Sequence, residues 1–409
     1  KGGPITIEGA DAEVYCTIYA FAESAIQKGL LWAGSDDGLI HLSTDDGKAW
    51  SDVTPKSMPE WTMVHSIESS PHNPGTCYVA ATRYKLDDYK PYLYKTDDFG
   101  ENWVEINRGI PENDFTRVIR EDPSCKGLLY CGTETGVYVS YNDGDSWESL
   151  QSNLPVVPIH DMVVQDNDLV VGTHGRSMWI LDDITPLQQL AKEPSDGKPF
   201  LAKPRSTYRR LSQAPTMDEI PLGMNYVARI LGVPMAFYDE KSSNGETSRL
   251  MLDAGENPPD GVRITFYIPD GSINEALLTI LDSEKSPIQS FSNSDNSEDP
   301  CTLKVENGTN SFIWDMKYPG AVKLSDDPRG YKPKELNGVL APPGSYYVQL
   351  KVNSMTFEQP FTLIKDPRSS TPQSDLDEQF DLLLNIRDRL SETHDSINRI
   401  RSIRSQIDE

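Results

Sequence analysis

One eight-residue pattern, S/T-x-D/N-x-G-x-x-W, occurs three times and constrains the fold more than any other feature of the chain. It reads Ser43-Thr44-Asp45-Asp46-Gly47-Lys48-Ala49-Trp50, Thr96-Asp97-Asp98-Phe99-Gly100-Glu101-Asn102-Trp103 and Ser140-Tyr141-Asn142-Asp143-Gly144-Asp145-Ser146-Trp147. The tryptophans are 53 and 44 residues apart. Strand-like runs precede the copies: Leu39-Ile40-His41-Leu42, Tyr92-Leu93-Tyr94 and Val137-Tyr138-Val139. Alternating residues follow, as in Trp103-Val104-Glu105-Ile106. The pattern therefore predicts a hairpin turn. Asp45, Asp98 and Asn142 accept hydrogen bonds from turn amides, and the glycine supplies a permissive backbone. The tryptophan tucks under the turn and fills the space between strands.

A further strand pair lies upstream of each copy, at Leu30–Gly34, Cys77–Ala81 and Leu128–Thr133. A fourth unit without the pattern runs from Ile159 through Leu169–Thr173 to Trp179-Ile180-Leu181-Asp182-Asp183. A period of about 40–50 residues with several strands per unit predicts propeller blades.

Three such turns at blade spacing resemble the Asp-box (BNR) propellers: sialidases, xyloglucanase-type glycosidases, sortilin-type receptors and photosystem-assembly-factor-like propellers. The segment Gly172-Thr173-His174-Gly175-Arg176-Ser177-Met178-Trp179-Ile180-Leu181-Asp182-Asp183 resembles the end of the propeller in large bacterial proteins labelled sortilin-like or glycosyl hydrolase. That resemblance extends over nearly the whole chain. It implies a propeller of more than four blades, so the four visible here would form an incomplete propeller. The missing blades are expected from an N-terminal segment of the same protein or from a partner chain.

The expected fold is mostly β: propeller blades over 1–187, a connecting segment over 188–260, a β-sandwich over 261–368 and an amphipathic helical tail over 369–409. The stretch Gln188–Lys203, with Pro194, Ser195, Gly197 and Pro199, reads as a linker. Alternating runs from Val262 to Ile364 read as sandwich strands. Within them, Pro342-Pro343-Gly344-Ser345-Tyr346 resembles the strand start of bacterial immunoglobulin-like modules. In the tail, Leu376, Leu383, Leu390 and Ile397 recur every seven residues, with Ile386, Ile400 and Ile407 spaced likewise. Such a stripe packs on its own protein or zips to another helix.

Composition excludes several functions. The formal net charge of -25 repels phosphate backbones, so no nucleic acid is expected as partner. No apolar run is long enough to span a membrane. Five cysteines form no CxxC pair, and Cys125 and Cys131 read either as packed thiols or as a hairpin disulfide. His65, His72 and His160 fall one per blade without ligand spacing, so no metal and no cofactor is expected. Acidic turns such as Asp36-Asp37 and Asp143-Gly144-Asp145 leave room for a structural Ca²⁺.

The box residues Ser43, Asp45, Gly47, Trp50, Thr96, Asp98, Gly100, Trp103, Ser140, Asn142, Gly144 and Trp147 are read as structural. A glycosidase needs two carboxylates across a cleft, with Asp36, Asp37, Asp161, Asp182 and Asp183 as candidates. His174 and Arg176, in a tight turn, could face the axial channel and bind a carboxylate or sugar. The preferred alternative has them satisfy carbonyls and pair with Asp182 or Asp183. No complete catalytic set is visible. The expectation is a binding or scaffold protein, secreted, periplasmic or on the cell surface, whose propeller face takes a protein, peptide or glycan. The competing expectation is a glycoside hydrolase.

Overall fold

The computed structural model describes residues 16–192, 197–210, 222–227, 235–241, 247–252, 255, 258–271, 275–293, 302–324 and 338–408. Cys301, most of the loop Lys241–Glu246 and most of the apolar run Tyr226–Leu231 lie outside them. The chain divides into two compact units, Lys1–Pro194 and Ser195–Glu409. The first extends past the expected boundary at 187, because α1 (Thr185–Lys192) belongs to it: the buried Gln188 donates to the Asp122 carboxylate at 3.0 Å.

The first unit is a row of antiparallel sheets, each a simple meander. Sheet one holds β1 (Ile18–Glu23), β2 (Leu31–Ser35), β3 (Ile40–Ser43) and β4 (Ser51–Asp52). Sheet two holds β5 (Met63–Ser69), β6 (Cys77–Arg83), β7 (Asp88–Thr96) and β8 (Val104–Glu105). Sheet three holds β9 (Thr116–Glu121), β10 (Leu129–Thr133), β11 (Val137–Ser140) and β12 (Glu148–Ser149). Sheet four has three strands, β13 (Ile159–Gln165), β14 (Asp168–Thr173) and β15 (Met178–Leu181). First strands lie side by side, β1 against β5, β5 against β9 and β9 against β13. That is propeller packing, with the first strand of each blade innermost. The cores lie between blades: Trp32, Val64 and Val79 join the first two, Tyr78, Ile119 and Trp147 the next two, and Tyr130, Ile159 and Val171 the last two.

The three boxes fold alike. The first hydroxyl accepts the glycine amide in each: Gly47 to Ser43 at 2.9 Å, Gly100 to Thr96 at 3.0 Å and Gly144 to Ser140 at 2.9 Å. The third residue accepts the amide four positions on, Ala49 to Asp45 at 2.9 Å, Asn102 to Asp98 at 2.8 Å and Ser146 to Asn142 at 2.9 Å. The tryptophans differ from expectation. Trp103 donates to Val53 O at 2.7 Å and Trp147 to Ile106 O, each in the preceding blade. The box thus fastens one blade to the one before it. Gly100 and Gly144, at φ +83 and +90, leave no room for a Cβ, which would lie 2.7 Å from Val53 or 2.8 Å from Ile106. Trp50 has no such neighbour among the described residues; it donates to Gly47 O in its own turn and stays 41% exposed, against 3% for Trp147.

The opposite face of the row is open in the same sense. A Cβ on Gly34 would strike Val64, and one on Gly132 would strike Ile159, each in the following blade; at Gly172 the nearest atom is 3.5 Å away and in its own blade. Both end faces of the row of four carry exposed apolar side chains, Ile18 and Phe21 on β1, and Met178 and Ile180 on β15.

Thr96→Val should cost about 1–3 kcal/mol, because a buried hydroxyl that accepts the Gly100 amide becomes a methyl of the same size. Urea unfolding of the two proteins measures it. A cost below a few tenths would mean that the turn does not depend on its box.

In the second unit, β16 (Phe200–Leu201) and β17 (Thr207–Arg209) come from the stretch read as connecting segment, and β18 (Gly223–Val227), β19 (Met235–Lys241) and β20 (Thr247–Met251) form a separate meander. The remaining strands are β21 (Val262–Ile268), β22 (Ala276–Leu281), β23 (Pro287–Ser292), β24 (Gly308–Trp314), β25 (Gly344–Val352) and β26 (Met355–Lys365). Sheets β16-β21-β24 and β17-β26-β25-β22-β23 enclose one core of alternating residues, with Ile264, Phe266 and Trp314 facing Leu278, Val348 and Phe361. This is a β-sandwich. Within the stretch read as a linker, Phe200–Leu201 instead pairs with Tyr267 and Phe266; farther along the connecting segment, Thr207–Arg209 runs parallel to Leu363–Lys365. Short strands of two and three residues carry no periodicity from which to read them.

The helix α2 (Gln373–Asp408) packs Phe380 on Tyr318 and holds the 319–323 segment through Arg387, Ser391, His394 and Asn398. Leu376 is buried, whereas Ile386, Ile400 and Ile407 remain exposed. No described helix is long and apolar enough to cross a membrane. Cys77, Cys125 and Cys131 are buried free thiols, so the hairpin does not carry a disulfide.

Candidate functional site

Each innermost strand breaks register once, near its start. The break falls between Ile18 and Ala20, between Val64 and Ser66, between Thr116 and Val118, and between Ile159 and Asp161. Tyr19, His65, Arg117 and His160 are thus the extra residues of four β-bulges. A bulge re-aims its side chain. Here the four side chains converge where the inner strands begin. The Tyr19 and His65 rings are 5.4 Å apart, His65 and His160 6.3 Å, and His160 stacks on His174 at 4.9 Å.

Arg117 is 9% exposed and held rigidly. Its Nε and Nη2 donate to one Glu134 oxygen at 2.8 and 2.6 Å, and its guanidinium lies over the Phe115 and Tyr84 rings. Glu134 is in turn positioned by the buried Asp114 carboxylate, which accepts from Thr133 Oγ1, Thr135 Oγ1 and Tyr138 Oη at 2.9, 2.6 and 3.0 Å. Burial, with the Arg117 charge behind it, pushes the His65 imidazole down to about 4. Burial, Arg117 and His174 lower His160. His65 is therefore neutral at physiological pH and offers one donor and one acceptor.

One layer deeper, Arg120 ties three blades together. It reaches Asp161 at 2.6 Å and Glu68 at 3.5 Å, and it donates to Ser66 Oγ and Met162 O, both at 2.9 Å. Burial pushes Glu68 up to about 7 despite the guanidinium beside it. The folded carboxyl thus holds its proton to higher pH than the unfolded one. Its contribution to stability is fully present below the ordinary carboxylate range and is lost as pH rises through about 7. His65 has the opposite sign: its contribution is present above the ordinary imidazole value and is lost as pH falls through about 4. Glu68→Gln removes the first of these. The variant should match the parent near pH 4.5 and exceed it in stability at pH 8. Equal urea midpoints at pH 8 would show that Glu68 does not titrate this way.

The residues singled out from sequence are scattered. His174 joins the axial cluster by stacking on His160. Arg176 is exposed, its carbonyl accepts Trp179 Nε1 at 2.9 Å, and no ion pair joins it to Asp183. Asp183 caps α1, accepting from Thr185 N and Oγ1 at 3.2 and 2.6 Å, and Asp182 adjoins it. The reading of His65 and His160 as separate, one per blade, is corrected: the bulges bring them together. Among the described residues no three His, Cys, Asp or Glu are grouped as a metal site.

In class the chain is a multidomain, mostly β protein with propeller-type packing. No family model matches it. Over 108 residues it is 26% identical to an oligoxyloglucan-reducing end-specific xyloglucanase of Emericella nidulans, a match that takes in 26% of this chain and 13% of that protein. Among solved structures it is similar to an ancestral GH74 enzyme, with TM-score 0.33 and 12% identity over 68% of this chain and 33% of the other. It is also similar to the GH74 enzyme of Niastella koreensis, with TM-score 0.33 and 14% identity over 85% of this chain and 53% of the other. A third is YCF48 bound to D1 peptide, with TM-score 0.31 and 16% identity over 68% of this chain and 89% of the other. These superpositions are partial.

Proposed function

We propose that this chain contributes four blades to a larger Asp-box propeller of the sortilin-like kind, outside the cytoplasm, whose axial face binds a protein, peptide or glycan. The supporting observation is the set of four inner-strand bulges that aim Tyr19, His65, Arg117 and His160 at one place. Neutral imidazoles and a locked Arg117–Glu134 pair suit an uncharged, hydrogen-bonding ligand such as a sugar or a peptide backbone. Trp50 and Gly172 leave room for a blade at either end, and the sandwich, of immunoglobulin-like kind in this reading, acts as a spacer.

Glycan and peptide arrays probed with the parent and with a His65→Ala, His160→Ala double variant test this reading. The expected result is a ligand retained from pH 6 to 8 and weakened at least 10-fold in the variant, roughly 1.4 kcal/mol. A ligand bound equally well by both proteins would remove the axial site from the reading.

The glycoside hydrolase reading draws on one observation, the carboxyl of Glu68 held near neutral pKa beside Asp161. An acid that still holds its proton at pH 6, with a second carboxyl group close by, is what such hydrolysis draws on. Release of reducing sugar from a polysaccharide panel, abolished by Glu68→Gln, would favour this reading over binding.

A further inference from the structure

A cavity of about 280 Å³ in the second unit is lined by Arg209 at the end of β17, Lys365 and Asp366 at the end of β26, Thr371, and Asp375 and Leu376 of the first turn of α2. Arg209 is 9% exposed, and its Nε is fully buried without a hydrogen-bond partner. The acid nearest in sequence register is already taken: Arg368 donates to both oxygens of Asp366, at 2.9 and 2.6 Å. Lys365 Nζ has turned to Thr371 O at 2.9 Å. A buried cation without a counter-charge is costly, and protein interiors normally pair it.

The end of α2 adds to the same field. Its first-turn amides, at Gln373, Ser374 and Asp375, have no acceptor among the described residues; the first such bond is Leu376 N to Pro372 O. Amides at a helix start point out of the helix and favour an anion. With Nε fully buried, the two Nη groups are the part of the guanidinium left to face the cavity, and that end matches a carboxylate in two parallel hydrogen bonds. Asp366 and Asp375 line the same cavity and penalise an ion with two charges. The volume lies at the lower end of small-molecule sites, about 300–1,000 Å³, which suits one ring rather than an oligomer.

We propose that this cavity binds a small monocarboxylate, no larger than one hexuronic acid residue, through the Arg209 guanidinium. The carboxylate is either that of a free acid or the end of an acidic glycan. Calorimetric titration of the full chain with sodium D-glucuronate, D-glucose, sodium sulfate and a glucuronate-terminated disaccharide tests it. Saturable glucuronate binding is expected, with glucose at least 10-fold weaker. A disaccharide that binds more tightly than glucuronate identifies a glycan end, and one excluded identifies a free acid.

Arg209→Met should abolish glucuronate binding without lowering the melting temperature of the ligand-free protein, since the side chain lost has no partner. Lys365→Gln, which leaves Arg209 in place, should weaken binding a few-fold. Three results would each overturn the proposal: no saturable glucuronate binding, sulfate bound more tightly than glucuronate, or undiminished binding in Arg209→Met. If Arg209→Met does not fold, the Arg209 Nε–H resonance of the parent decides, because it must shift on glucuronate addition and not on glucose.

Discussion

Trp314→Ala is expected to destabilise the second unit by about 3–5 kcal/mol, the usual cost of removing a fully buried large aromatic side chain. Trp314 has no exposed surface. Its ring sits against Tyr346 and Phe361, with centroids 5.7 and 5.9 Å away, and its Nε1 donates to Lys317 O at 3.2 Å. It stands at the end of β24 and crosses to the opposite sheet, so its loss opens a cavity where both sheets meet. Calorimetry should show the sandwich transition falling by roughly 10 °C, at about 2–4 °C per kcal/mol for a unit of this size. The transition of the first unit should hold its temperature, since the core around Trp32 shares no residue with the core around Trp314. One transition that moves as a whole would contradict two separate cores.

The difference between what was legible in the residues and what was not is physical. An Asp box encodes its turn within eight residues: Ser43, Asp45 and Gly47 bond to one another and to Ala49, so the signal is local and repeats. Long alternating strands such as Val262–Ile268 are legible for the same reason, since each second residue faces the core. The reach of Trp103 and Trp147 into the preceding blade is not local, and the eight-residue motif carries no trace of their partners Val53 and Ile106. Strands as short as Phe200–Leu201 have no period at all.

The axial site is the least legible part, because it consists of four residues of three types, each one place out of register. Tyr19, His65 and Arg117 stand 24, 31 and 23 residues before the first residue of their box, so an offset from the motif does not find them. A weaker signal exists. The residue after each bulge pairs with a small one: Ala20 with Gly34, Ser66 with Ala80, Val118 with Gly132 and Asp161 with Gly172. Small residues in each second strand could have been aligned across blades, and the inner-strand bulges inferred opposite them. Of the polar residues in the Gly172–Asp183 segment, His174 is the one that stacks into the cluster.

Arg120→Met should destabilise the first unit by about 2–3 kcal/mol, the combined loss of two hydrogen bonds and of partly exposed ion pairs. The Arg120 side chain keeps 23% of its surface exposed and that of Asp161 keeps 72%, so solvent screens the shorter pair. Methionine keeps the length of the stem and removes every polar contact to Glu68, Asp161, Ser66 and Met162 at once. Blades two, three and four lose their shared fastener beneath the axial cluster. The pH dependence separates this from simple loss of packing. Without the guanidinium, burial acts on Glu68 unopposed, and the folded carboxyl holds its proton to still higher pH. The contacts to Asp161, Ser66 and Met162 are lost at every pH, so the penalty of Arg120→Met should persist at pH 5, where Glu68 is neutral in the parent and the variant alike, and grow by up to about 1.4 kcal/mol at pH 8. Adding Glu68→Gln to the variant should recover that increment at pH 8 and almost nothing at pH 5. Urea unfolding at both pH values measures all four proteins. A penalty of one size at both, unchanged by Glu68→Gln, would mean that the Arg120 charge does not act on Glu68. A penalty that grows with pH and is relieved by Glu68→Gln would show that the Arg120 charge offsets the cost of burying the Glu68 carboxylate beneath the bulges.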